Sequence, residues 1–140
     1  MKIAVGADHA GFPAKEELKT LIRALGHVPI DKGTNAETSV DYPDYAKAVG
    51  EAVRAGEAER GVLVCGTGIG MCIGANKVPG VRAAVVWDEK STELSRRHND
   101  ANVFCAGARL MPVVRIAELL KLWLNTPFEG GRHQKRVDKL

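Results

Sequence analysis

The sequence predicts an α/β fold in which a five-stranded parallel sheet is covered on both faces by helices, giving three layers. Three observations carry this. Five apolar, β-prone runs alternate with stretches of helical periodicity along the 140 residues, the pattern of repeated βαβ units. The runs are nearly continuous in apolar residues, as in strands buried on both faces. No internal repeat, low-complexity segment or linker divides the chain, so residues 1–140 read as a single domain, a length at which one core is usual.

Taken in order, residues 2–7 (KIAVGA) read as the first strand. Leu18, Leu21, Ile22 and Leu25 then fall at helical spacing, with Pro13 suited to the first turn and Gly26 to the C-terminal cap. Residues 27–33 (HVPIDKG) form the second strand, and Ala46, Val49 and Val53 mark the next helix. Residues 60–66 (RGVLVCG) are the third strand, followed by a helix over 68–78 that its glycines weaken. Residues 82–87 (RAAVVW) are the fourth strand and 89–99 the helix after it. The fifth strand is 102–108 (NVFCAGA), and Ile116, Leu119, Leu120 and Trp123 carry the last periodic helix.

Composition excludes several function classes. No apolar run approaches the roughly 20 residues that span a bilayer, and MKIAVGADHAG lacks the apolar stretch of a secretory signal. A cytoplasmic protein with no membrane partner is expected. Three cysteines without a CxxC argue against a disulfide framework or a zinc site. A net charge of +3, without a wide basic surface and interleaved aromatics, argues against nucleic acid.

Parallel sheets bind ligands beyond the C-terminal ends of their strands. Asp8 and His9 follow the first strand, Cys65 to Gly70 the third, and Ala106 to Arg109 the fifth. The loop CGTGIGMCIGANK, residues 65–77, fits neither nucleotide fingerprint. Met71 stands where the third glycine of G-x-G-x-x-G belongs, and no Gly-Lys-Ser/Thr follows. It fits a loop whose N–H groups, from Gly66, Thr67, Gly68, Ile69 and Gly70, converge on a small oxyanion. A tight strand-to-helix turn without a ligand is the alternative.

Cys65 lies at the strand end beneath this loop. A free thiol titrates at about 8.5, and a helix N-terminus or nearby cation lowers that, so Cys65 suits a nucleophile or a general base. It can equally be a small buried apolar residue, as Cys72 and Cys105 are expected to be. Asp8 could cap the next helix, though capping does not require His9 beside it. His98, with Asn99, ends the fourth helix, where a histidine also suits the helix dipole. His27 reads as surface, and Arg109 as one half of a salt bridge. Arg132, His133 and Arg136 form a basic tail whose arginines, four apart, share one helical face and can grip a phosphate. The set suits proton transfer or thiol chemistry on a small phosphorylated molecule.

GADHAGF, DKGT, DYPDYA, VCGTGIGMCIGANK, LSRRHNDANV and EGGRHQKRV, in this order over nearly the whole chain, closely resemble the type B ribose-5-phosphate isomerases. These belong to a wider sugar-phosphate isomerase family that includes allose-6-phosphate and galactose-6-phosphate isomerases. The resemblance implies a Rossmann-like sheet, no metal and no nucleotide cofactor. It implies a homodimer or homotetramer with active sites between subunits. The implied reaction interconverts D-ribose 5-phosphate and D-ribulose 5-phosphate through an enediolate. Carried over by position, Cys65 is the base between C1 and C2, and His98, aided by Asp8, opens the furanose. Gly66, Thr67, Gly68, Ile69, Gly70 and Asn99 hold the enediolate; His9, Arg132, Arg136 and Arg109 bind the phosphate end. One branch of the family replaces the cysteine by a later glutamate; Met71 stands there, so this chain sides with the cysteine branch. The alternatives are an allose-6-phosphate isomerase and a non-catalytic sugar-phosphate-binding protein, the second of which would need neither Cys65 nor His98. A thiol-based phosphatase is disfavoured because its phosphate loop would end in arginine.

Overall fold

The computed structural model describes residues 1–140. Strands β1 (Lys2–Ala7), β2 (Val28–Asp31), β3 (Arg60–Cys65), β4 (Ala83–Val85) and β5 (Val103–Gly107) form one parallel sheet in the order β2-β1-β3-β5-β4. The helices are α1 (Phe12–Ala24), α2 (Tyr42–Arg54), α3 (Ile69–Ala75), α4 (Glu89–Arg97) and α5 (Val113–Leu124), then a 3₁₀ turn (Gly131–His133) and the short α6 (Gln134–Val137).

Alternation along the buried strands sorts side chains into two cores. Ile3 and Val5 of β1, Val62 and Val64 of β3, and Phe104 and Ala106 of β5 face one layer. They meet Leu18 and Ile22 of α1, and Ile116, Leu119, Leu120 and Trp123 of α5. Ala4, Leu63, Cys65, Val103 and Cys105 face the other layer, against Ala46, Val49 and Ala52 of α2 and Met71 and Ala75 of α3. The β3 side chains thus alternate between layers up to Cys65, which ends on the α2–α3 side. Each of these large side chains gains about 1.5–3 kcal/mol from burial, which is why the apolar periodicity was readable along the chain.

The expected helix signals at α1 hold: Pro13 lies in its first turn and Gly26, at φ +84°, follows its end. β3, β5 and α4 fall within a residue at either end, or two at one end, of the predicted ranges, whereas β2, β4 and α3 are markedly shorter. β2 stops at Asp31, because the chain turns at Gly33, where φ is +93°. β4 keeps three residues as an edge strand. α3 ends at Ala75 because Asn76 caps the next strand instead: its Oδ1 accepts from Ala83 N–H at 2.8 Å and its Nδ2 donates to Ala83 O at 3.0 Å. A charged side chain is fully enclosed at the core edge. Lys15 of α1 is 0% exposed and pairs with Asp31 at the end of β2, 2.6 Å away.

Candidate active site

The loop after β3 is built by close approach. Cys65 is paired with Gly107 across β3 and β5, and Ala108 N–H donates to Cys65 O at 2.8 Å. A Cβ on Gly107 would lie 2.6 Å from the backbone of Thr67, and one on Gly68 would lie 2.8 Å from Ala106. Gly68 also sits at φ +80°, a conformation that side chains resist. Glycine at both positions lets the loop fold flat over the end of β5 and start α3.

This geometry leaves donors free. Gly68 N–H donates to Cys65 Sγ at 3.1 Å, and Ile69 N–H to Thr67 Oγ1 at 3.2 Å. Thr67 Oγ1 is therefore occupied as an acceptor, and its proton is available to donate. The N–H groups of Gly66, Thr67, Gly70 and Met71 meet no acceptor within the chain. Cys65 itself is 5% exposed beneath them.

Asp8 and His9 flank this loop from β1. Asp8 Oδ1 accepts from Ala10 N–H at 2.9 Å and Gly11 N–H at 3.1 Å, so one oxygen does serve the turn into α1. His9 Nδ1 accepts from Val40 N–H at 3.2 Å. That bond leaves the ring proton on Nε2, which is free to donate. Arg109 has no carboxylate partner, contrary to the salt bridge expected from sequence. Its guanidinium instead lies against Gly66, where an added Cβ would stand 3.2 Å from Nη1. Tyr42, which sequence reading passed over, lays its ring on Gly70, 2.7 Å from where a Cβ would be.

His98, Asn99, Arg132 and Arg136 form a second cluster elsewhere. α4 runs antiparallel to the strands, so its end lies at the N-terminal edge of the sheet. There Arg82, just before β4, donates through Nε to Asn99 O at 3.2 Å, and Arg97 O accepts from Glu129 N–H at 3.0 Å. His98, Asn99 and Arg136 line a cavity of about 280 Å³ with His133, Val137 and Leu140. His98 Nε2 is 3.6 Å from Glu129 Oε2, and its ring stacks on His133 with centroids 4.1 Å apart and planes 14° apart. Arg132 and Arg136 are exposed and pair with no carboxylate in the chain. The loop of Cys65 is at the opposite edge. β5 alone separates the two edges by roughly 13 Å at 3.3 Å per residue.

His98, Glu129 and His133 offer ligand atoms within 4.8 Å of one another. Their geometry does not suit a metal. Metal–nitrogen bonds of about 2.0–2.1 Å lie in the imidazole plane, and two nearly parallel planes do not aim their nitrogens at a common point. The cluster is arranged for protons. Cys72 departs from the apolar cysteine expected: it is half-buried, its Sγ is 3.3 Å from Ala83 O against β4, and a hydrogen bond with Cys105 outweighs burial to hold its thiol to about 7. Burial pushes Cys105 in the other direction.

The sequence profile of the Ribose/Galactose Isomerase family matches residues 3–140. The chain belongs to this family. It is similar to ribose-5-phosphate isomerase B of Escherichia coli, with 45% identity over 99% of this chain and 93% of that one. The solved structure of Clostridium thermocellum ribose-5-phosphate isomerase B superposes with a TM-score of 0.98 at 45% identity, covering 99% of this chain and 94% of that one. The Mycoplasma genitalium enzyme, solved with bound ribulose 5-phosphate, gives a TM-score of 0.94 at 38% identity over 99% and 92%. The five-stranded parallel sheet between helical layers is thus the family's fold. Sequence reading missed Glu129 and His133 as partners of His98, although both lie in EGGRHQKRV; nothing in their spacing signals a stacked ring.

Proposed function

We propose that this chain is an aldose–ketose isomerase that interconverts D-ribose 5-phosphate and D-ribulose 5-phosphate, with each active site assembled from two copies of the chain. The observation that carries the reading is Cys65 Sγ lying beneath a loop of unpaired N–H groups at the C-terminal edge of the sheet. Family membership along the whole chain, residues 1–140 acting as one domain, supports the same chemistry.

The ring form binds first. His98 of one copy gives its proton to the ring oxygen while Asp8 of the other, through the oxygen its turn leaves unused, takes the proton of the anomeric hydroxyl. This frees the C1 aldehyde. The Cys65 thiolate then removes the proton from C2. Negative charge moves onto O1, and the free N–H groups of the loop, the Thr67 hydroxyl and Asn99 hold it. Fixed donors stabilise that enediolate more than the ground-state carbonyl, because charge is larger there. The proton on O2 passes to O1, and the Cys65 thiol returns its proton to C1, leaving the C2 ketone. His9 Nε2–H and the unpaired guanidinium groups of Arg109, Arg132 and Arg136 bind the phosphate, which orients the reacting carbons. Asp8 then releases its proton to solvent and His98 takes one up, so the steps balance and use no cofactor.

Placement supports a second copy: His98 and Cys65 sit at opposite edges of one sheet, and a sugar reached by both would lie between two chains. A homodimer is the smallest assembly that supplies it, and a homotetramer does so equally. No helix is long and apolar enough to cross a membrane, and we assign the enzyme to the cytoplasm, where pentose phosphates are made and consumed.

The test is turnover of ribose 5-phosphate and allose 6-phosphate by the wild type and Cys65→Ala. Preferential turnover of the pentose, with the variant binding substrate but slowed by about 10²–10⁴-fold as for loss of a catalytic base, is expected. Preference for the hexose would change the substrate and keep the chemistry. Turnover of neither, or an unaffected variant, would sink the reading.

A further inference from the structure

His133 takes no part in the steps above, yet it is the buried member of the second cluster, 6% exposed on the 3₁₀ turn. Its ring covers one face of His98 at 4.1 Å. The Nε–H of Arg132 points at His133 Nε2 over a long 3.5 Å. A nitrogen facing a guanidinium donor is an acceptor, so the ring is neutral with its proton on Nδ1. His98 is oriented the other way: its Nε2 faces the Glu129 carboxylate at 3.6 Å, which favours a proton there.

Charges around the stack enforce this division. Arg97 and His98 face it from α4, Glu129 from the segment before the turn, Arg132 from the turn and Arg136 from α6. Glu129 is the only acid among them, and it is shared with Arg97, whose Nε is 3.3 Å from Oε2. A second proton on His133 would set a cation against the face of His98 and among arginines. Burial first, then the charges of His98 and Arg132, hold His133 below the ordinary imidazole range.

We propose that His133 is a positioning residue for ring opening: its ring, anchored by Arg132, stacks on His98, fixes the plane of that ring and keeps its Nε2 turned toward Glu129. The proposal rests on His98 being the ring-opening acid. It makes His133 matter for the cyclic substrate alone. Ribulose 5-phosphate cannot close a furanose, because its C5 oxygen carries the phosphate. Exchange of its C1 hydrogen with solvent therefore needs Cys65 and the loop but not His98.

The experiment compares wild type, His133→Ala and His133→Phe in two assays: turnover of ribose 5-phosphate, and deuterium uptake from D₂O at C1 of ribulose 5-phosphate. Thermal unfolding checks that each variant is folded. With the alanine variant, ribose 5-phosphate turnover should fall about 10- to 100-fold, the effect of mis-setting a catalytic group by about 1 Å, while exchange persists near the wild-type rate. Phenylalanine retains a flat ring against His98 and should restore most of the turnover. Parallel loss of both activities, an unaffected alanine variant, or a phenylalanine variant as slow as alanine would each overturn the proposal. Absence of exchange in the wild type would instead refute the isomerase reading on which it stands.

Discussion

The assembly of each site from two copies can be tested by mixing two inactive variants, Cys65→Ala and His98→Asn. Within one chain these residues lie at opposite edges of the sheet, separated by at least the roughly 13 Å length of β5. A shared proton relay needs heavy atoms within about 3 Å of the sugar. Each variant alone lacks one required group at every site, so each should lose about 10²–10⁴-fold in turnover. A two-fold symmetric pair behaves differently when the variants combine. One of its two sites then carries both substitutions, and the other joins an intact Cys65 to an intact His98. Random reassortment makes half of the pairs mixed, so about a quarter of all sites should be complete. Mixed pairs isolated with two affinity tags should reach about half of wild-type turnover by the same counting. The assay is ribose 5-phosphate isomerisation before and after refolding the two variants together. Mixed pairs no more active than their parents would show that one chain holds the entire site, and the separation argued from β5 and α4 would be wrong.

Two further outcomes bear on the scaffold. Gly68→Ala places a Cβ 2.8 Å from the Ala106 backbone at φ +80°. Left-handed strain alone costs roughly 1–2 kcal/mol, and displacement of the Gly68 N–H from Cys65 should cost turnover as well; wild-type denaturation and kinetics in this variant would refute the close approach. Asp31 is held down to about 2: burial alone would raise it, but hydrogen bonds from Lys15, Lys19 and Gly33 N–H outweigh that. A depressed carboxylate stabilises the fold above its ordinary value of 3.8 and loses that contribution as pH falls through the window down to about 2. Asp31→Asn, which leaves the buried Lys15 only Glu16 at 3.1 Å, should therefore destabilise by about 1–2 kcal/mol at neutral pH, less than for a fully buried pair because Asp31 itself meets solvent. Its deficit in denaturant midpoint should shrink as pH is lowered toward 3, and a deficit independent of pH would count against the ion pair as its source.

Much of this molecule is local in origin and was legible along the chain. Buried runs such as 60–66 announce strands because both faces of a parallel sheet exclude water, and Pro13 and Gly26 mark helix ends because their backbone preferences act on neighbours only. The loop from Cys65 to Gly70 could be read as an oxyanion cradle for the same reason: alternating glycines at a strand end are a local steric statement. The positions of Asp8, His9 and Arg109 beside it follow from the rule that strand ends converge. Arg109 was legible as a cation and not as an unpaired one, since the lack of a carboxylate is a fact of three-dimensional neighbourhood.

The tertiary structure alone decided the rest. It inserted β5 between β3 and β4, which brings Gly107 under Thr67 and flattens the loop. It sent α4 back across the sheet, so His98, read from sequence as one more member of the Cys65 constellation, lies at the far edge. It also stacked His133 on His98 and aimed Arg132 at its ring nitrogen. Such pairings depend on strand order, helix direction and packing between residues distant in sequence, and no local periodicity encodes those. The residue types and their places at strand and helix ends were written in the sequence; which of them lie together within one copy was settled by the direction in which the chain returns.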